Sequence, residues 1–125
     1  MAGKKSKGTP LKVFSGREAT LNRLILKILE KRSPLIAYDV WHQLKVIKGH
    51  RHVDSKTTYR RLKALELEGL IAQKGTRLGK RGGDKNLYEL TLRGKAALRL
   101  DEKSIEDFLQ KATEEQLQKF INLFS

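Results

Sequence analysis

The stretch from Val53 to Ile71 constrains this chain more than any other, because it reads as a short basic helix running directly into a strand. Asp54 or Ser55 can cap the first exposed amides, and Gly69 supplies the left-handed position that ends the helix. Between them Thr58, Leu62 and Leu65 recur at i, i+4 and i+7, a single narrow apolar stripe for a core. Burial therefore leaves most of this helix free. Opposite the stripe lie Lys56, Thr57, Arg60, Arg61 and Lys63, side chains suited to phosphates and to the edges of bases.

The rest of the chain supplies what such a helix needs to stand on. From Arg17 to Arg32, Leu21, Leu24, Ile25, Ile28 and Leu29 repeat with a helical period. Ser33-Pro34 breaks that helix, and Pro34 to Ile36 leaves room only for a short extended piece. A second helical pattern runs from Tyr38 to Lys45, with Val40, Trp41 and Leu44 inward and Trp41 in or at the edge of the core. After the capped helix, residues 70–74 and 86–90 are strand-like, and the glycine-punctuated segment 75–85 between them is expected to be a long, flexible, cationic tip. Thr91 is expected to cap a helix reaching Arg99, with Leu92, Ala96, Ala97 and Leu100 on one face.

One core is what 125 residues with 38% apolar content can build. Cysteine is absent, so disulfides, thiolate metal sites and a thiol nucleophile are excluded. No apolar run is long enough for a signal peptide or a membrane span, so no membrane partner is expected. The net charge of +13 is uneven: residues 1–95 carry 23 Lys and Arg against 8 Asp and Glu, and residues 96–125 carry 4 against 6. A body this basic suggests a polyanionic partner, nucleic acid before anionic membrane.

Residues 1–16 are expected to form a basic flexible arm whose Lys4, Lys5, Lys7 and Lys12 can follow phosphates. Residues 17–100 are the expected folded domain, and 101–125 a C-terminal amphipathic segment. In that segment Ser104 gives one capping signal, and Thr113 to Gln116 match a capping box, so two helical pieces or one bent helix are expected. Ile105, Phe108 and Leu109, followed by Leu117, Phe120, Ile121 and Phe124, make apolar stripes that need a partner. The domain already has an apolar set of its own, so pairing with a second copy is favoured over folding back.

Helix, short strand, helix, helix and two-stranded hairpin is the order of a winged helix-turn-helix, a mostly α fold with a small β-hairpin. Here the segment Ser55-Lys56-Thr57-Thr58-Tyr59-Arg60-Arg61-Leu62-Lys63-Ala64-Leu65-Glu66-Leu67-Glu68-Gly69-Leu70-Ile71 resembles the recognition helix and following strand of PadR-like and MarR-like transcriptional regulators. Tyr88-Glu89-Leu90-Thr91-Leu92-Arg93-Gly94-Lys95 is similar to their exit from the wing, and Leu35 to Val40 extends the likeness to about residues 17–100. The resemblance implies a dimeric, cytoplasmic, nucleoid-associated regulator that binds double-stranded DNA. Its third helix would enter a major groove and its wing would meet the adjacent backbone or minor groove. Ser55, Lys56, Thr57, Tyr59, Arg60, Arg61 and Lys63 would then face DNA from the helix, and Arg77, Lys80, Arg81 and Lys85 from the wing.

Other chemistries fit less well. Tyr59 can donate to a phosphate or pack on the first helix, and both stay open. Gly75 to Arg81 superficially resembles a phosphate-binding loop, but its glycines are too close together, Arg81 stands where Ser or Thr belongs, and a strand follows instead of a helix. His42, His50, His52 and Asp54 lack the further ligands that would complete a metal site. No catalytic constellation stands out, so neither an enzyme nor a cofactor is expected. The alternatives to a site-specific regulator are a non-specific chromosome-organising or replication-associated protein, an RNA binder, and an interaction module of a larger nucleoprotein complex.

Overall fold

The structure, a computed structural model, describes residues 11–47, 49–79, 83–103 and 105–125. In chain order it contains a 3-10 turn at Lys12–Phe14, α1 (Ala19–Arg32), β1 (Leu35–Ile36), α2 (Ala37–Lys45), α3 (Ser55–Leu67), β2 (Ile71–Leu78), β3 (Asp84–Leu90), α4 (Leu92–Glu102), α5 (Ile105–Lys111) and α6 (Glu114–Leu123). The three strands form one antiparallel sheet in the order β1-β3-β2, so the hairpin gains a short third strand that pairs Leu35 with Tyr88 and Ile36 with Leu87.

Capping fixes where the helices begin. The Asp54 carboxylate accepts from the Thr57 amide at 2.7 Å, the Thr91 hydroxyl from the Gly94 amide at 3.0 Å, and Thr113 and Gln116 close both arms of a capping box. Gly69, at φ +79°, turns the chain out of α3 and into β2. Thr58, Leu62 and Leu65 of α3 are fully buried against α1 and α2, joining Ile25, Leu26, Leu29, Val40 and Leu44 in the core, with Ile71, Tyr88 and Leu98 beneath. Trp41 is half-buried, and its indole Nε1 donates to the Val53 carbonyl at 2.8 Å.

Several expectations need correction. Val13 and Phe14 are not arm: both are buried in the core, and the Asn22 side chain, itself buried, donates to the Val13 carbonyl at 2.8 Å. Residues 1–10, with Lys4, Lys5 and Lys7, lie outside the described residues. The long tip expected at 75–85 is mostly strand, because β2 continues to Leu78 and β3 starts at Asp84. Gly75 was a plausible terminator, yet Gln73 pairs with Tyr88 and Thr76 with Asn86, so two residues of β2 oppose one of β3. Gly75, at φ +119°, is the backbone position that lets the ladder absorb this bulge and go on.

The buried face of α4 also differs. Leu92 and Leu100, expected inside, are 82% and 71% exposed, and Ala96 faces solvent. Gly94, Ala97 and Leu98 are the buried positions. Rolling the helix this way brings Gly94 onto the Leu70 carbonyl and carries Asp101 to Arg23, whose Nε and Nη2 donate to the carboxylate at 2.7 and 3.2 Å. The α5 and α6 segments bury no residue in the domain. Phe108 and Phe120 (ring centroids 5.3 Å apart) and Phe120 and Phe124 (5.1 Å) pack on each other, and Ile121, Leu123 and Phe124 remain exposed.

Candidate nucleic-acid interface

Because α3 spends one stripe on the core, its remaining face reaches solvent at the edge of the sheet. Ser55, Lys56, Tyr59, Arg60 and Lys63 are exposed, and Thr57 is half-buried. Tyr59 does not join the apolar core; it lines a groove toward the hairpin, and the Lys63 ammonium lies 5.6 Å from its ring centroid. Tyr59 itself is 47% exposed.

The two arginines behave differently from each other. Arg60 donates from Nη2 to Glu18 Oε2 at 3.0 Å and keeps 56% of its side chain exposed. Arg61 places Nε 3.2 Å from Glu18 Oε1, and its side chain is only 17% exposed. Its guanidinium is thus drawn toward the start of α1, off the open face. The hydrogen bond from Arg60 holds the Glu18 carboxyl below the usual carboxylate range, with Arg61 and Arg17 adding to it against a partial offset from burial.

The hairpin stands beside α3. Arg77 and Lys85 are a cross-strand pair, and both are exposed. Arg77 Nη1 sits 3.2 Å from Asp39 Oδ2, a contact from the wing to the first turn of α2. Lys80 and Arg81 lie outside the described residues. Between α2, α3 and the hairpin runs a groove of ≈ 720 Å³ lined by Tyr38, Asp39, Tyr59, Arg77, Lys85 and Asn86, among others. Tyr88 forms part of its floor, and burial pushes the pKa of the Tyr88 hydroxyl up. On the rim, Tyr38 and His42 share a 2.8 Å hydrogen bond between Oη and Nε2.

Sequence reasoning missed Glu18, Asp39 and Tyr38 in this surface. Tyr38 and His42 are four apart on one helix, so that pair had a readable signal. Glu18 and Asp39 reach their arginines only through tertiary folding, across separations that no local pattern encodes.

A family model described as the transcriptional regulator PadR-like family matches residues 25–100. Among solved structures, a PadR-like transcriptional regulator of Bacillus cereus is 19% identical with a TM-score of 0.54, covering 90% of this chain and 95% of that one. A PadR family regulator of Clostridium difficile is 24% identical, with a TM-score of 0.54 and coverage of 83% and 96%. The Bacillus subtilis PadR solved in complex with operator DNA is also 24% identical, with a TM-score of 0.55, and covers 87% of this chain and 62% of that one. At these identities the likeness is one of fold. No curated protein sequence matches the chain.

Proposed function

Since this chain belongs to the PadR-like family of transcriptional regulators, we propose that it binds duplex DNA site-specifically and controls transcription, with α3 in a major groove and the β2-β3 hairpin on the flanking backbone. One observation carries this reading. The face of α3 that the core does not use is cationic, and it continues around one groove into Arg77 and Lys85 of the hairpin. The operator complex of the Bacillus subtilis PadR supports the same use of the fold here.

In this reading Arg60 reads a base edge, since its forked donors match guanine O6 and N7. Ser55, Lys56, Thr57, Tyr59 and Lys63 hold the helix in register through phosphates and neighbouring edges. Arg61, tied to Glu18, supports Arg60 in place of a direct base contact. Arg77 and Lys85, with Lys80 and Arg81, contact backbone from the wing, and Lys4, Lys5 and Lys7 add a sequence-independent attraction. The protein acts as a homodimer through the Phe108, Leu117, Phe120, Ile121 and Phe124 face, which makes two half-sites the natural target. It works in the cytoplasm on the nucleoid, and residues 17–100, with Val13 and Phe14 packed into their core, form its DNA-binding unit. No helix among the described residues is long and apolar enough to cross a membrane.

The test is fluorescence anisotropy with a random-sequence duplex and with a pool enriched by binding, both titrated across salt. A site-specific regulator binds the enriched pool at least ~10³-fold tighter near physiological salt. Equal binding with a steep salt dependence transfers the function to a chromosome-organising role, and no binding to either duplex removes DNA as the partner.

A further inference from the structure

Glu18 is the N-cap residue of α1, yet its side chain makes no capping hydrogen bond to that helix. Both carboxylate oxygens are turned instead to α3, 42 residues away, where Oε2 accepts from Arg60 Nη2 at 3.0 Å and Oε1 lies 3.2 Å from Arg61 Nε. Successive residues on a helix point about 100° apart. A single carboxylate meets both guanidinium groups by sitting over the ridge between them, through a hydrogen bond to Arg60 and an ion-pair contact to Arg61. Two cations on one anion also leave one positive charge unspent, on the more exposed partner, Arg60.

We propose that Glu18 is a specificity-determining positioning residue, which draws Arg61 down as a strut and presents the Arg60 guanidinium to a base edge in one orientation. This rests on the DNA-binding reading above. Arg60 has five N–H donors, and the bond to Glu18 uses one. Enough remain for a two-pronged contact, and the side-chain entropy that a free arginine would lose on binding has already been lost in the ion pair. The Glu18–Arg60 arm is solvent-exposed and contributes little to folding, so stability does not explain why Arg60 is held there.

Loss of the Glu18 carboxylate has an unusual signature. Removing the carboxylate takes one negative charge away from a surface that faces phosphates, so the random duplex should bind as tightly as before or tighter. The enriched duplex should bind more weakly, because Arg60 has lost its orientation. In Glu18→Ala the ratio of the two affinities is expected to fall about tenfold, within the range that one good two-pronged base contact supplies. Arg60→Ala should lower the ratio to a similar extent, and the double variant should fall little further. Glu18→Asp, which keeps the charge, should retain part of the ratio.

A ratio that stays at the parent value in Glu18→Ala overturns the proposal, whether both duplexes bind tighter, looser or alike. Tighter binding to both would make Glu18 an electrostatic brake, and weaker binding to both with a lowered melting temperature would make it structural. An unchanged ratio in Arg60→Ala overturns it as well. If the parent protein itself fails to discriminate, the regulator reading falls and this inference goes with it; if the parent discriminates and only the variants behave otherwise, the inference alone falls.

Discussion

Replacing glycine by alanine inside a helix ordinarily stabilises it by about 1 kcal/mol, but at Gly94 of this protein the sign should reverse. A Cβ built there would stand 2.2 Å from the Leu70 carbonyl oxygen and 2.6 Å from Leu90 Cδ1, whereas ordinary contact begins at 3.4 Å. Leu90 can rotate away. The Leu70 oxygen cannot do so freely, because it accepts from the Thr91 amide at 3.1 Å and shares the Thr91 hydroxyl, 3.0 Å away, with the Gly69 carbonyl at 2.8 Å. α4 must therefore retreat by about 1.2 Å from the sheet, which loosens both bonds and the Thr91 cap on the helix. Overpacking costs roughly 1–3 kcal/mol, and each weakened hydrogen bond up to about 1 kcal/mol. Against the propensity gain of about 1 kcal/mol, the net loss for Gly94→Ala centres on roughly 2 kcal/mol. For a chain of this size that is a fall in melting temperature of roughly 10 °C, read by circular dichroism at 222 nm, with urea denaturation to check that the slope is unchanged. A melting temperature equal to or above the parent's would refute the close approach of α4 to the start of β2.

Four further outcomes follow from the same structure. Leu62→Ala, at a fully buried position of α3, should lose about 2–5 kcal/mol, seen as a lower urea midpoint; a loss under about 1 kcal/mol would mean that α3 is not seated as described. Changing Arg77 and Lys85 together to alanine should weaken binding to every duplex and reduce the slope of log affinity against log salt by about 2, and an unaltered slope would take the hairpin out of the interface. Phe120→Ser with Phe124→Ser should convert a dimer to a monomer by light scattering, and a parent that is already monomeric would disprove pairing through this face. The Thr57 amide holds the Asp54 carboxyl below its ordinary range. Its contribution is therefore complete at neutral pH and is lost as pH falls through the lowered value. Asp54→Asn keeps a capping oxygen without the charge, so its urea midpoint should decline less than the parent's below pH 4, and identical acid limbs would contradict the cap.

Local chemistry was the legible part of this fold. Asp54, Thr91, Thr113 and Gly69 announced their caps and turns because the groups they satisfy lie within three or four residues. The stripe Thr58, Leu62 and Leu65 was legible because a helix repeats its buried face. What the sequence concealed depended on partners far along the chain. On α4 the bulkier leucines, Leu92 and Leu100, marked the wrong face, since the absence of a side chain at Gly94 is what lets the helix dock. Gly75 looked like the end of a strand and is a bulge within one. Val13 and Phe14 sat in a basic, glycine-bearing segment and still belong to the core. At the candidate interface the α3 cations were readable as a face, but Glu18 and Asp39, which hold Arg60, Arg61 and Arg77, carry no local pattern that would point to them.

The placement of the single tryptophan has a practical corollary. Its indole is tethered to the Val53 carbonyl, one residue before the cap of α3, with the Lys45 ammonium 4.4 Å from its ring centroid and Tyr38 edge-on at 5.7 Å. The chromophore therefore sits at the joint through which α2 delivers α3, sensitive both to a nearby charge and to a hydrogen bond that a tilt of α3 would stretch. Nature has in effect labelled this joint, so a change in emission on adding duplex would report movement of the reading helix with no dye attached.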